Sequence, residues 1–124
     1  MYMIRKATIN DVDEIVYVIN ISNYCAYKDI IPENFFKYPV VDRKRILKDM
    51  KKMKFYVCEI SNKILGAAVL YPRYSEGVGI VRWVYLHPDY QRKGIGTALM
   101  KYIEEIARKL GLKKLRLITH EKAH

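Results

Sequence analysis

Val12, Ile15, Val16 and Ile19 recur at the spacing of one helical face, with Asp13, Glu14 and Tyr17 turned away from it. Just upstream, Thr8-Ile9-Asn10-Asp11 has the form of a capping box, in which the Thr8 hydroxyl and the Asp11 carboxylate satisfy free N–H groups of a first turn. This pattern predicts a short strand from Met3 to Ala7 and then a helix that runs to about Ser22. From Asn23 to Val41 no period survives, because Tyr24, Tyr27, Phe35, Phe36 and Tyr38 are mixed with Pro32 and Pro39, and the stretch reads as a loop with one short helical turn. Asp42 then offers an N-cap to a second helix. Its apolar stripe is Ile46, Leu47, Met50 and Met53, and its outer face carries Arg43, Lys44, Arg45, Lys48, Lys51 and Lys52.

At Phe55 the period changes from helical to extended. Phe55 to Ile60 and Ile64 to Tyr71 have strand composition, and Ser61-Asn62-Lys63 joins them as a hairpin. After a connection over 72–77, Ile80 to His87 alternates, with Ile80, Arg82, Val84 and Leu86 on one side and Val81, Trp83, Tyr85 and His87 on the other. Ile95, Leu99, Tyr102, Ile103, Ile106 and Leu110 return to helical spacing. Glu104 with Arg108 and Glu105 with Lys109 form outer pairs one turn apart, and Gly111 suits the residue that ends a helix. Leu115 to Thr119 is a last strand. Such an order, without a repeat, predicts an α/β or α+β fold in which helices pack on a mixed sheet.

Length and composition narrow the class. A chain of 124 residues fits one domain over 1–124, and with 51% apolar residues and no long Pro, Gly or Ser tract it is expected to be globular. The longest uncharged apolar run, Ile64 to Pro72, is too short to span a bilayer, and the N-terminus has no apolar signal segment. A cytoplasmic protein without a membrane partner is expected. Cys25 and Cys58 read as free thiols, and no His or carboxylate set has metal-site spacing, so no metal is expected. A formal charge of +10 calls for an anionic partner, for which nucleic acid, acidic protein and a phosphorylated cofactor all qualify. The basic helix from Arg43 to Lys54 reads as a solvated face, since no aromatic residue interleaves its charges, and nucleic acid is disfavoured.

The segment from Pro88 to Gly96 lies between a strand and an amphipathic helix. Free backbone N–H groups and a helix N-terminus there converge on one anion. Gly94 and Gly96 let a phosphate approach the backbone, Arg92 and Lys93 add charge, and Thr97 offers a hydroxyl. A dinucleotide fingerprint is disfavoured because Leu99 stands where its third glycine belongs and the preceding turn is longer than that motif wants, and the phosphate-loop motif fails at Gly94. The whole run Val84-Tyr85-Leu86-His87-Pro88-Asp89-Tyr90-Gln91-Arg92-Lys93-Gly94-Ile95-Gly96-Thr97-Ala98-Leu99 resembles the signature of the GNAT N-acetyltransferase superfamily, and the element order is similar over nearly the whole chain.

The resemblance implies a GNAT-like fold, a mixed and mostly antiparallel sheet flanked by helices, which ends here after the fifth strand and before the last helix and strands. Acetyl-coenzyme A is the implied cosubstrate, and the implied reaction is direct attack of a primary amine of a small molecule or protein on the thioester. By position, Arg92, Lys93, Gly94, Gly96 and Thr97 would hold the pyrophosphate, with Gln91 at the first loop position. Val84 and Leu86 would pair with the pantetheine arm, and the Leu86 N–H would polarise the thioester oxygen. His120 and Glu76 are the candidates for proton transfer, and Tyr24, Tyr27, Tyr71 and Tyr74 for an acceptor pocket. An open sheet edge implies a homodimer or another partner chain across it. Two other readings stand beside this one: a non-catalytic acyl-coenzyme-A-binding module, and a basic nucleic-acid-binding domain.

Overall fold

The computed structural model describes residues 2–27, 41–90 and 94–117. Five strands form one sheet in chain order: β1 (Met3–Lys6), β2 (Lys54–Ile60), β3 (Lys63–Arg73), β4 (Val78–Leu86) and β5 (Lys114–Leu117). The first three pairings are antiparallel and β4 runs parallel to β5. Parallel neighbours need a crossover, and α3 (Ile95–Lys109) supplies it. The helices α1 (Val12–Tyr27) and α2 (Arg43–Met50) cover the opposite face. The expected fold class is thus the observed one.

Strand alternation divides the core in two. Phe55, Val57, Ala67 and Val69 join Val12, Ile15, Ile19 and Ile46 on the α1/α2 face, while Tyr56, Cys58, Ala68 and Leu70 join Ile95, Leu99 and Ile103 under α3. The expected apolar stripes of all three helices are therefore the buried ones. Asp42 caps α2 by accepting the Arg45 N–H at 2.8 Å. Gly111, at φ 80°, ends α3 in the left-handed conformation: its N–H bonds the Arg108 carbonyl at 3.0 Å, and the Leu112 N–H bonds the Ala107 carbonyl at 2.9 Å. The hairpin turn places both Ser61 and Asn62 at positive φ, 51° and 66°.

Four expectations are corrected. α1 continues past Ser22 to Tyr27, because Ser22, Asn23 and Tyr24 do not break a helix and the Asn23 amide donates back to the Ile19 carbonyl at 2.8 Å. The rest of that expected loop, 28–40, lies outside the described residues. β3 runs on through Pro72 and Arg73, so the connection shortens to a single 3-10 turn, Tyr74–Glu76, closed by Gly77 at φ 68°. The ion pair on α3 is Arg108 with Glu105, at 2.8 Å and three residues apart. The alternation of β4 breaks at a bulge. Val81 pairs with Leu70 and Trp83 with Val69, so Arg82 is an extra residue, and Val81 lies on the same face as Val84 and Leu86.

Two close approaches seat α3 on the sheet. A Cβ on Gly66 would stand 2.9 Å from Leu86 Cδ2 and 3.2 Å from Leu99 Cδ1, and one on Gly96 would stand 3.4 Å from Leu86 Cδ1. The Leu86 side chain therefore fills the space that these two glycines leave between β3 and the first turn of α3. A Gly66→Ala substitution overpacks this contact, and urea unfolding should show a loss of about 1–2 kcal/mol.

The entry to α1 is held by charge. Arg5 donates to both oxygens of Asp11, at 2.7 and 2.9 Å, and to Glu59 at 2.8 Å, while the Thr8 N–H bonds Asp11 at 2.7 Å. Asp11 is buried, and the Arg5 guanidinium holds its carboxyl below the ordinary carboxylate value. A depressed folded-state value means that this stability is fully present above about pH 4 and is lost as the pH falls through the folded value. Asp11→Asn should cost about 2 kcal/mol at neutral pH. Unfolding measured from pH 7 to pH 2 should show a smaller acid-dependent loss in this variant than in the parent.

Candidate functional site

β4 is covered by β5 only over its first half, the paired residues being Val78 to Val81 against Lys114 to Leu117. From Arg82 to Leu86 no described strand lies on that side. The other side is paired with β3, and the His87 N–H donates to the Leu65 carbonyl at 2.8 Å. Since donors alternate along a strand, the N–H groups of Tyr85 and His87 face β3, and those of Val84 and Leu86 face the open edge. The Arg82 side chain adds a donor beside the bulge, its Nε being buried without a hydrogen-bond partner among the described residues.

Past the strand, Pro88–Tyr90 forms a 3-10 turn in which the Tyr90 N–H bonds the His87 carbonyl at 2.9 Å and the Asp89 N–H bonds His87 Nδ1 at 3.2 Å. His87 is thus occupied at the strand end. Gly94 caps α3 at φ 79°, a conformation that costs an L-residue about 1–2 kcal/mol. Its carbonyl accepts the first helical bond, from Ala98 at 3.0 Å, and this leaves the N–H groups of Ile95, Gly96 and Thr97 without helical partners. No acidic residue occupies this first turn, whereas Arg108 and Lys109 occupy the last. Both ends therefore suit the helix dipole once an external anion sits at the first. Gly94 and Thr97 are exposed, and nothing lies within 4 Å of a Cβ built on Gly94.

The open N–H edge of β4 thus runs into the free amides of α3. A ligand that combines an amide-bearing arm with a diphosphate fits this arrangement, with the arm beside Val84 and Leu86 and the anion at Gly94 and Gly96. Val84, Leu86, Gly94, Gly96 and Thr97 are brought together as expected. Gln91, Arg92, Lys93 and His120 lie outside the described residues.

Glu76 is not brought to this place. It precedes the first residue of β4 while Leu86 is the last, a separation of roughly 25 Å or more at the strand rise, and its carboxylate faces Arg73 at 3.3 Å. Of the tyrosines, Tyr24 and Tyr74 are exposed and Tyr71 lies beneath the Arg73 guanidinium at 6.0 Å. The side chain of Tyr27 is outside the description. Burial raises the Cys58 thiol pKa, and chiefly burial pushes the Tyr56 hydroxyl up to about 12, so neither is poised for proton or acyl transfer. Among the described residues no His, Cys, Asp and Glu cluster suits a metal. None of the described helices is long and apolar enough to cross a membrane.

Sequence reasoning missed the bulge at Arg82 and the pocketing of Leu86 by Gly66. It also missed a basic cleft beside β5, lined by Arg73, Lys113, Lys114 and Arg116. Those cations come from two separate stretches, and only the β3–β4–β5 register reveals them as neighbours.

Known proteins are similar to this chain in sequence and in fold. The amino-acid acetyltransferase of Yersinia enterocolitica is 32% identical over 121 residues, 98% of this chain but 25% of that protein, and that of Serratia proteamaculans is 31% identical over the same share. The chain thus spans about a quarter of the length of these curated relatives. Among solved structures, the PaiA N-acetyltransferase of Thermoplasma acidophilum in complex with coenzyme A superposes with a TM-score of 0.86 at 23% identity, covering 99% of this chain and 82% of that one. The ribosomal-protein-S18-alanine N-acetyltransferase of Escherichia coli gives 0.74 at 17% identity, over 94% and 66% of the two chains. The profile of the Acetyltransferase (GNAT) family matches residues 22–124, from within α1 through the whole open edge and the α3 turn, and this chain belongs to that family.

Proposed function

We propose that the protein is an N-acetyltransferase that moves the acetyl group of acetyl-coenzyme A to a primary amine by direct attack. One observation carries this reading: the open edge of β4, with the Val84 and Leu86 N–H groups directed outward, ends at the unpaired amides of a glycine-bearing helix start. In this reading the pantetheine arm pairs with Val84 and Leu86 like a neighbouring strand. The diphosphate takes the amides of Gly94, Gly96 and Thr97 together with Gln91, Arg92 and Lys93, whose roles rest on their place in the sequence.

The chemistry asks little of side chains. The amine nitrogen forms a bond to the acetyl carbon, the carbon–sulfur bond breaks, and coenzyme A leaves as a thiolate that takes up a proton. Negative charge gathers on the carbonyl oxygen on the way, and a preorganised N–H, assigned here to Leu86, stabilises it. The amine must also lose a proton, and His120 is retained for that task from its place after β5. Glu76, paired with Arg73 at the far end of β4, fits a structural role better. The described part of β5 pairs on one side only, so a second copy of the chain is the proposed cover for its other edge. A cytoplasmic location accords with acetyl-coenzyme A as cosubstrate.

Calorimetry with acetyl-coenzyme A followed by a thiol-release assay over a panel of amines tests the reading. Heat without thiol release from any amine would leave a binder and not an enzyme, and no heat would remove both. Gly96→Ala separates ligand approach from folding. Its Cβ meets only an ordinary contact with Leu86, and alanine in a helix is favoured over glycine by about 1 kcal/mol. The variant should melt no lower than the parent while binding acetyl-coenzyme A about tenfold more weakly, a loss near 1.4 kcal/mol.

A further inference from the structure

The cofactor edge accounts for little of the charge of +10 on this chain. Beside the basic outer face of α2, another part of it gathers in a cleft of about 330 Å³ at the start of β4 and β5, lined by Arg73, Lys113, Lys114 and Arg116 together with Ile80. Glu76 is the one acid in its lining, and its carboxylate is engaged by Arg73 at 3.3 Å. Among the described residues no ion pair forms at Lys113, Lys114 or Arg116.

Register shows which side the cleft is on. Arg73 pairs with Val78 and Val78 with Lys114, while Tyr71 pairs with Ile80 and Ile80 with Arg116, so these residues form two rows across three strands. A Cβ on Gly79, between the rows, would point at Leu70, Leu112 and Leu115 under α3. Val78 and Ile80 therefore face the other way, toward the side of the sheet that carries α1 and α2. The cleft lies on the sheet face opposite the helix whose first turn binds the anion, and it adjoins the β4 edge just before that edge opens. Ile80 and Leu86 pair with Tyr71 and Gly66, so they lie roughly 17 Å apart along the sheet. The long Arg116 side chain spans part of that distance, and the acceptor's anion must stand roughly 10 Å from its amine to span the rest.

We propose that this cleft is the acceptor's anion subsite, and that the amine acetylated belongs to a molecule that also bears a carboxylate or phosphate. The assignment rests on the acetyl-transfer reading above. A cofactor delivered along one edge leaves the opposite face for the acceptor, and three cations without carboxylate partners among the described residues attract an anion there and repel a polyamine. Arg116 is suited to a carboxylate or phosphate because its guanidinium can hold two oxygens at once.

The test compares amines of suitable length that differ only in the anion: trialanine with trialanine amide, and the amide of alanyl-alanyl-phosphoserine with that of alanyl-alanyl-serine. The anionic member of at least one pair should show a kcat/KM at least about tenfold higher, the effect of roughly one well-placed charge contact. The pair that shows it identifies carboxylate or phosphate as the ligand. In the exposed double variant Lys114→Gln/Arg116→Gln that preference should fall to within about threefold, while the Kd for acetyl-coenzyme A, read by calorimetry, stays the same. Arg116→Lys with Lys114 intact should keep part of the preference. Equal rates within both pairs, or a preference unchanged in the double variant, would overturn the proposal.

Should no amine be turned over, the same anions are titrated into protein saturated with coenzyme A, which blocks the α3 turn. Heat that disappears in the double variant supports the subsite, and absence of heat in the parent overturns it. Failure of coenzyme A itself to bind overturns the acetyl-transfer reading instead, and the anion titration without it still decides whether the cleft takes an anion.

Discussion

Everything at the site depends on how closely α3 can approach the end of β4, and that distance is set by the Leu86 side chain between Gly66 and Gly96. A side chain at Gly66 would drive into Leu86 and push the helix outward, and the amides of its first turn would move away from the edge that Val84 and Leu86 present. The same contact joins the site to the core, because Leu86 packs with Leu99, Ile103 and Val81 beneath the helix. Binding geometry and folding stability share one set of atoms. Interiors are packed densely enough that a displacement of a fraction of an ångström is felt at both.

The charge distribution follows the same logic of separation. Acidic residues are drawn into structural tasks: Asp11 and Glu59 hold Arg5, Asp13 holds Arg43, Asp49 holds Arg45, and Glu14 accepts the Ile64 N–H at 2.9 Å. Many of the basic residues have no such task, so the net positive charge is concentrated on surfaces. On one sheet face it becomes a cleft, and at the α3 start the helix dipole takes its place. An anionic substrate and an anionic cofactor would thus meet separate fields on opposite sides of one strand.

Much of this was legible in the chain itself. Helical periods located the three described helices and strand composition most of the described strands, and Thr8, Asp42 and Gly111 marked element ends, because caps and amphipathic faces are local properties. The run from Val84 to Leu99 marked the edge proposed for the cofactor, since strand, glycines and helix start are contiguous. What escaped was whatever depends on pairing. Nothing in Val81-Arg82-Trp83 signals a bulge, as its cause is the mismatch with Val69 and Leu70 across the strand. The partners of Arg5 and the neighbours of Arg116 likewise come from distant stretches that only the sheet register brings together. The helix end at Tyr27 was misplaced because no glycine or proline stands at Ser22 to announce continuation or stop.

The Gly77 carbonyl accepts two N–H groups at once, from Lys113 at 2.7 Å and from Lys114 at 3.2 Å. It ties the beginning of β5 to the beginning of β4, whereas the far half of β4 carries no tie to any described strand on that side. Along β5 every described residue is clamped to β4, so the start of β4 is locked on both sides while its last residues keep one side open. In the proposed reading a pantetheine arm laid along that open side would break no backbone hydrogen bond of the described residues, and a ligand would stand where a sheet otherwise needs a strand.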